Sequence, residues 1–315
     1  MNSMIKDVKL AVVIPSLNEE ETLPKLLNQI NELLSSFKFL KQYNLIVVDD
    51  GSTDNTIERI IDTPNLKLIS HGYNMGIGAA VRSGLQFAEE NKYDIVLKID
   101  ADFQHDIGDI ENMISPILNQ KVDLVFGDRF SGQITYKMPK IRYLGNKFFT
   151  FLMSKITKYD ITDSQPGMFA GNLKFLSNVT IFSDYNYTQQ VIYSSYLSGL
   201  KFLQVPINFN IREHGKSFVK LSYPFKALMQ IFILMLTKNP MKSLGSLAFL
   251  TFAITIFISL TQLVDYFTGV APKPLMNVNL VLGLGLLSSQ LLLTAIILKS
   301  IGNIENYIRT KVKSQ

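Results

Sequence analysis

Apolar residues fall in short runs through the first part of the chain and in two long runs near its end. Leu10–Pro15, Leu45–Val48, Leu66–Ser70, Ile95–Ile99 and Leu124–Gly127 are runs of four to six residues, the length of strands buried on both faces. Between them lie segments with helical spacing: Asn18 and Glu19–Glu21 opening a helix to about Phe39, then Thr56–Ile61, Ala79–Asn91 and Asp106–Leu118. The acidic start of the first suits the helix macrodipole, and Asp54 stands where it can cap the second. Strands alternating with helices predict an α/β domain with a mainly parallel sheet, whose ligands sit beyond the carboxyl ends of the strands. Pro15–Glu19, Asp49–Ser52, Asp100–Gln104 and Asp128–Arg129 each follow a strand. Four strands thus deliver polar groups to one rim.

The two long runs are of another kind. Leu244–Val264 has 21 residues and Leu275–Leu298 has 24, neither with a charge. Each spans a hydrocarbon core of about 30 Å at about 1.5 Å per residue. The short link Asp265–Pro274 makes them a helical hairpin. Lys238 and Lys242 precede it, and Lys299, Arg309, Lys311 and Lys313 follow, against Lys273 alone in the link. That asymmetry places the domain and both termini in the cytoplasm. Pro224–Lys238 is apolar at Phe225, Leu228, Met229, Ile231, Phe232 and Met235, the pattern of a helix lying on the membrane. The expected organisation is a domain over 1–220, an interfacial helix over 221–242, a transmembrane hairpin over 243–300 (spans at about 244–264 and 275–298) and a basic tail over 301–315.

Composition narrows the function. Of 315 residues, 47% are apolar and 18% charged, drier than a usual soluble enzyme because of the hairpin. The absence of cysteine excludes disulfides, thiolate metal sites and cysteine nucleophiles. Met1–Lys9 is too polar and short for a signal peptide. The net charge of +5 suits a membrane protein facing anionic lipid. With no basic stripe interleaved with aromatics, nucleic acid is not an expected partner.

Asp100-Ala101-Asp102 carries the sharpest chemistry. Alternate residues of an extended segment point the same way, and two close carboxylates repel unless a cation neutralises them. Hard oxygen ligands suit Mg²⁺ or Mn²⁺, with Gln104 adding an amide oxygen or orienting a water. At Asp49-Asp50-Gly51-Ser52, a carboxylate can accept from a base or ribose hydroxyl, or the segment can be a helix cap with a turn. Asn74-Met75-Gly76-Ile77-Gly78-Ala79 is neither a dinucleotide fingerprint nor a Walker A loop, but glycines at a helix start let backbone N–H groups approach phosphate or sugar. Arg129, Arg142, Arg212 and Lys216 are candidate phosphate ligands.

Taken together and in order, Pro15-Ser16-Leu17-Asn18-Glu19, Val48-Asp49-Asp50-Gly51-Ser52-Thr53-Asp54, Asn74-x-Gly76-x-Gly78-Ala79, Asp100-Ala101-Asp102-x-Gln104 and Gly127-Asp128-Arg129 resemble the family-2 glycosyltransferases. Within that family they are most similar to the branch of dolichol-phosphate mannose synthase and bacterial polyprenyl-phosphate glycosyltransferases. The resemblance covers roughly residues 8–220. It implies a GT-A fold, a Rossmann-like mixed sheet, and inversion at the anomeric carbon. It implies that Pro15, Leu17, Glu19, Asp50, Asn74 and Gly76 hold the donor, and that Asp100, Asp102 and Gln104 hold the metal and diphosphate. Arg129, with Arg142, would meet the acceptor phosphate. Later motifs depart from the pattern: Pro166, Met168 and Phe169 replace Ser, Phe and Arg in Asp163–Ala170, and Phe218 replaces the final Lys of Arg212–Phe218.

The expected reaction is attack by a polyprenyl-phosphate oxygen on the sugar of a nucleotide sugar, GDP- or UDP-linked, with Arg212 and Lys216 facing the leaving diphosphate. A phosphomonoester is largely dianionic at neutral pH, so it barely needs a general base, and Asp163 is read as positioning the acceptor. The alternatives are a lipid hydroxyl or lipid-linked saccharide as acceptor, and a non-catalytic membrane scaffold with a degenerate domain. The absence of tryptophan removes the Gln-x-x-Arg-Trp motif of processive synthases, and Asp100-Ala101-Asp102 argues against the scaffold. Self-association into a homo-oligomer is left open, since Gly283-Leu284-Gly285 is not a Gly-x-x-x-Gly motif.

Overall fold

The computed structural model describes residues 7–136, 138–184, 187–211 and 239–313, with Leu228, Met229, Phe232, Ile233 and Leu236, and side chains as far as Ile304. The chain divides into two compact units, one ending at Ala227 and one beginning at Leu228.

The five apolar runs become five strands: β1 (Val8–Ser16), β2 (Leu40–Asp49), β3 (Leu66–Ser70), β4 (Ile95–Lys98) and β5 (Leu124–Asp128). Helices α1 (Leu23–Ser35), α2 (Thr56–Ile60), α3 (Ile77–Glu90) and α4 (Ile110–Leu118) connect them. The first helix is shorter than its periodicity suggests. Asn18 takes a left-handed φ of 54°, Pro24 stands in its first turn, and Leu40–Asn44 belongs to β2, which pairs in parallel with β1 from Val8↔Leu40 onward. The helix expected from Asp106 opens instead as a 3₁₀ turn, with Asp106 accepting from Gly108 N at 2.9 Å.

Beyond β5 come α5 (Lys140–Thr157), β6 (Phe169–Asn172), α6 (Leu173–Asn178), α7 (Tyr187–Leu197) and β7 (Phe202–Pro206). The sheet order is β3-β2-β1-β4-β6-β5-β7. Six strands run parallel and β6 alone is antiparallel, against both β4 and β5. This is the mixed α/β sheet of a GT-A fold. One face, with Leu10, Val12, Ile14, Leu45, Val47 and Leu97, packs on α1 and α4. The other carries Val13 and Val48, which Gly84 of α3 approaches so closely that a Cβ there would lie under 3.0 Å from Val13. Because β6 runs backwards, the segment entering it, Asp163–Met168, arrives at the same rim as the carboxyl ends of the parallel strands.

The second unit is a pair of helices, α8 (Pro240–Phe267) and α9 (Val278–Lys313). Both are long and apolar enough to cross a membrane, with mean hydropathy 2.1 and 2.2. Small and polar residues face inward: Ala248, Thr255 and Gln262 are buried on α8, and Ser288 and Ala295 on α9. Ser288 Oγ donates to Ala248 O at 2.8 Å, and Gln262 Oε1 accepts from Met276 N and Asn277 N at 2.7 and 2.9 Å. Large apolar side chains such as Phe249, Phe257 and Leu286 stay exposed. Small residues at the seam and bulky ones outside are the arrangement of helices packed in lipid.

Candidate active site

The rim is assembled by loops that bond to one another. Asn18 N donates to Ser52 Oγ at 2.9 Å, and Thr53 N donates to Asn18 Oδ1 at 2.8 Å. Glu19 N donates to Thr56 Oγ1 at 2.9 Å, and Glu19 Oε2 accepts from Thr22 Oγ1 at 2.6 Å. Asp54 Oδ1 accepts from Thr56 N at 3.1 Å, at the start of α2. Pro15 is buried within β1 opposite Val48, and Leu17 and Glu19 are partly exposed beyond it.

Asp50 organises the glycine turn. One carboxylate oxygen accepts from Met75 N at 2.9 Å and meets His71 Nδ1 at 2.8 Å; the other accepts from Gly76 N at 2.8 Å. His71 Nε2 lies 3.0 Å from Ser83 Oγ on α3. Gly78 N donates to Asp184 O at 3.0 Å, and a Cβ at Gly78 would strike Ser183 and Asp184. The expectation that these amides reach toward phosphate is therefore corrected. Met75, Gly76 and Gly78 turn their N–H groups onto the chain, and Tyr73, Asn74 and Met75 stay exposed.

At the end of β4, Lys98 is a lysine with no exposed surface. The alternation that turns Leu97 toward α4 turns Lys98 to the opposite face. There its ammonium donates to Asp100 Oδ1 and, at 2.8 Å, to Gly167 O, and sits 5.2 Å from the Tyr187 ring centroid. Burial alone would lower the Lys98 pKa, but Asp100 and Tyr187 hold it above the ordinary lysine range. Burial pushes the Tyr187 phenol up to about 12. Burial would likewise raise Asp100, yet Lys98 and His105 hold its carboxyl well below the usual range. His105 Nε2 lies 3.3 Å from Asp100 Oδ2. Gly167 closes over this cluster: a Cβ there would fall under 3.0 Å from both Asp100 Oδ2 and His105 Nε2.

Asp102 is nearly buried and accepts from Gln104 N at 3.1 Å, with Phe103 between them at a φ of 59°. Gln104 Nε2 donates to Asn210 O at 3.2 Å. Among the described residues no three His, Asp or Glu side chains gather as a metal cage. Two carboxylates and an amide at the rim nonetheless fit Mg²⁺ or Mn²⁺, which keep water and take substrate phosphate oxygens as remaining ligands.

A second buried cluster forms where β5 ends. Asp163, wholly buried, accepts from Arg129 Nε at 2.7 Å, Arg129 Nη2 at 3.0 Å, Asn146 Nδ2 at 2.9 Å and Gln165 N at 3.0 Å. Thr150 Oγ1 accepts from Ser164 N at 3.0 Å. Arg129 Cζ stands 5.1 Å from the Phe209 ring centroid. Burial would raise Asp163, but the Arg129 guanidinium and the Asn146 and Gln165 donors hold it below the usual carboxylate range. The sequence reading set Asp163 against the acceptor; the structure corrects this, because a wholly buried carboxylate with four donors around it positions Arg129 instead. Arg142, grouped with Arg129 as a phosphate ligand, is exposed on α5 one turn before Asn146. Arg212, Lys216 and Pro224–Ala227 lie outside the described residues, as does most of the segment up to Lys238.

Sequence reasoning missed Lys98, His105, Gly167 and Asn146. Lys98 left a signal, a single charge in an otherwise apolar strand run. Gly167 stands in the Asp163–Ala170 stretch that the resemblance covers, whereas nothing local marks what His105 and Asn146 touch.

Comparison with known proteins agrees with this architecture. Residues 11–180 match the family model described as glycosyl transferase family 2. The chain is 29% identical over 230 residues to a UDP-N-acetylglucosamine–dolichyl-phosphate N-acetylglucosaminyltransferase of Methanococcus voltae, covering 66% of this chain and 88% of that one. It is 24% identical over 312 residues to a dodecaprenyl-phosphate galacturonate synthase of Rhizobium johnstonii, covering 94% and 88%. Among solved structures, glucosyl-3-phosphoglycerate synthase of Mycobacterium tuberculosis superposes with a TM-score of 0.56 at 20% identity, over 73% of this chain and 78% of that one. The last is a likeness of fold.

Proposed function

This chain belongs to glycosyl transferase family 2, and from that premise we propose that it moves a sugar from a GDP- or UDP-linked donor to a polyprenyl phosphate at the cytoplasmic membrane face, with inversion. Support for the acceptor comes from relatives named for dolichyl and dodecaprenyl phosphate, one of which aligns through the hairpin. The observation that carries the reading is the rim, where Asp50, the Asp100–Asp102 segment and Arg129 follow parallel strands. The organisation we propose is a catalytic domain over 1–220, an interfacial segment over 221–242, a membrane hairpin over 243–300 and a cytoplasmic tail over 301–315.

In the proposed reaction, an acceptor phosphate oxygen attacks the anomeric carbon while the bond to the diphosphate breaks and the nucleoside diphosphate departs from the opposite face. Pro15, Leu17, Glu19 and the turn that Asp50 anchors form the nucleoside side of the rim. Asp100, Asp102 and Gln104 would hold Mg²⁺ or Mn²⁺, which when bound neutralises charge building on the diphosphate. Lys98 fixes the Asp100 carboxylate from below. Arg129, steered by Asp163, presents fixed positive charge toward the acceptor side, and Arg212 and Lys216 remain the candidates for the leaving diphosphate. A dianionic phosphate attacks without losing a proton, so the reading needs no general base.

The test is transfer itself. Purified full chain with Mn²⁺ is given a panel of nucleotide sugars, with and without undecaprenyl or dolichyl phosphate, and sugar entering the lipid phase is followed. Transfer should require lipid, cease with EDTA, and cease in Asp102→Asn. Donor turnover with no sugar in polyprenyl phosphate would overturn the acceptor while leaving the transferase. Full activity in EDTA would overturn the metal.

A further inference from the structure

Tyr136 lies on the connection from β5 to α5, downstream of Arg129. The residue is partly exposed, yet its hydroxyl oxygen is buried and has no hydrogen-bond partner. Backbone contacts hold the connection in place. Thr135 N donates to Phe209 O at 3.1 Å, Phe209 N donates to Gln133 O at 2.8 Å, and Ile211 N donates to Thr135 Oγ1 at 3.1 Å. The Tyr136 ring centroid stands 6.1 Å from that of Phe209, and Arg129 Cζ stands 5.1 Å from the same ring. Burial would lower the Arg129 pKa, but Asp163 holds it above its ordinary value, with smaller contributions from Tyr136 and Asp100. A second orphan flanks Phe209: the His105 ring, 5.2 Å away, is buried, and its Nδ1 has no partner. Three polar groups, one of them cationic, thus gather around one phenyl ring.

A buried hydroxyl without a partner costs free energy, and native proteins leave few. Phenylalanine would fill the same space without that cost, so the hydroxyl points to a ligand. Its place in the fold selects the ligand. The nucleoside side of the rim follows β1 and β2, the Asp100–Asp102 segment follows β4, and Tyr136 comes after β5, two strands further along the sheet. A group there meets what approaches from the side away from the nucleoside. Arg129 gives Nε and Nη2 to Asp163, which leaves Nη1 as its edge for a ligand. A cation beside a neutral O–H donor suits an anion with several acceptor oxygens. We propose that Tyr136 is a ligand of the acceptor phosphate, its hydroxyl donating to one phosphate oxygen while Arg129 Nη1 meets another. The assignment rests on the reading of a polyprenyl phosphate as acceptor, and it moves no proton. It has a consequence for energy. The hydroxyl destabilises the free protein and stabilises the complex, so its removal acts with opposite signs on the two.

Tyr136→Phe removes the hydroxyl and keeps the ring. The full chain in detergent is melted by near-ultraviolet circular dichroism in three states: alone, with undecaprenyl or dolichyl phosphate, whichever the wild type glycosylates, and with the matching polyprenol. Transfer kinetics are run with the donor that supports wild-type transfer. Alone, the variant should melt about 2 °C or more above wild type, because an orphaned group is gone. The lipid phosphate should raise its melting point less than that of wild type, and the polyprenol should affect both alike. KM for the lipid phosphate should rise roughly tenfold, the loss of one hydrogen bond to a charged group, with KM for the donor unchanged. An unchanged or lower melting point for the free variant means that the hydroxyl has a partner without ligand, and overturns the proposal. An unchanged KM for the lipid phosphate, or a rise confined to the donor, overturns the assignment and leaves the acceptor reading standing. A wild type that is neither stabilised by either lipid phosphate nor able to glycosylate it overturns the acceptor reading, and the assignment with it.

Discussion

Replacing Asp163 by asparagine keeps the shape of the buried cluster and removes its charge. Arg129, itself buried, then keeps its guanidinium with no counter-ion. Whichever way the new amide turns, its NH₂ meets a donor, because Arg129 and Asn146 approach one carboxylate oxygen or the other with N–H groups. Breaking a buried pair by removing one partner costs about 3–5 kcal/mol. At roughly 2–4 °C per kcal/mol for a unit of this size, the melting point should drop by roughly 6–20 °C. Near-ultraviolet circular dichroism of the full chain in detergent reads this through tyrosine packing, since there is no tryptophan. Arg129→Met with Asp163→Leu removes both charges and should recover part of the loss, because the desolvation cost disappears with the pair while the Asn146 and Gln165 N–H donors lose their acceptor. The sign with pH follows from the lowered Asp163 pKa. A carboxyl depressed in the folded state contributes stability that is complete above its unfolded value, about 3.9, and is lost as pH falls through the lower folded value. The gap between wild type and Asp163→Asn should therefore be full at neutral pH and close only in acid below about pH 4. A single variant melting within about 2 °C of wild type, or a double variant no better than the single, would refute the reasoning.

Two further outcomes test other parts of the structure. Lys98→Met should cost about 3–5 kcal/mol, since it strips the ammonium from Asp100 and from Gly167 O, and the same dichroism melt reads it. Gly84→Ala should cost about 1–3 kcal/mol by overpacking, and Val13→Ala in the same chain should relieve part of it, because the Val13 methyls are the atoms the new Cβ meets.

Much of the architecture is legible in the sequence because its signals are local. A strand buried on both faces must be apolar throughout, so β1 to β5 stand out as runs. A helix able to cross lipid is apolar for about 20 residues, and α8 and α9, long and apolar enough to do so, stand out too. The later elements carry weaker signals. β6 is only Phe169-Ala170-Gly171-Asn172, and β7, at the sheet edge, has no fully buried residue. α7 buries Thr188, Gln189, Gln190, Ser194 and Ser195, so burial and polarity give no contrast along it. α5 is apolar on both sides, one for the domain and one exposed, which blurs the periodicity that would have announced it.

The candidate site divides along the same line. Asp50, Asp100, Asp102 and Arg129 can be picked out from the chain alone, because each follows an apolar run and the ends of parallel strands share one rim. Which partner each takes is decided only by the tertiary structure. Arg129 and Asp163 are 34 residues apart in the chain, Asp50 and Gly76 are 26, and Lys98 and Gly167 are 69. The last pair exists because β6 runs against its neighbours and brings Gly167 back to the rim beside β4. Local sequence determines which residues reach an edge of the sheet, through burial and chain direction. The pairing of charges there depends on which strands become neighbours, and that is set by the packing of the whole domain.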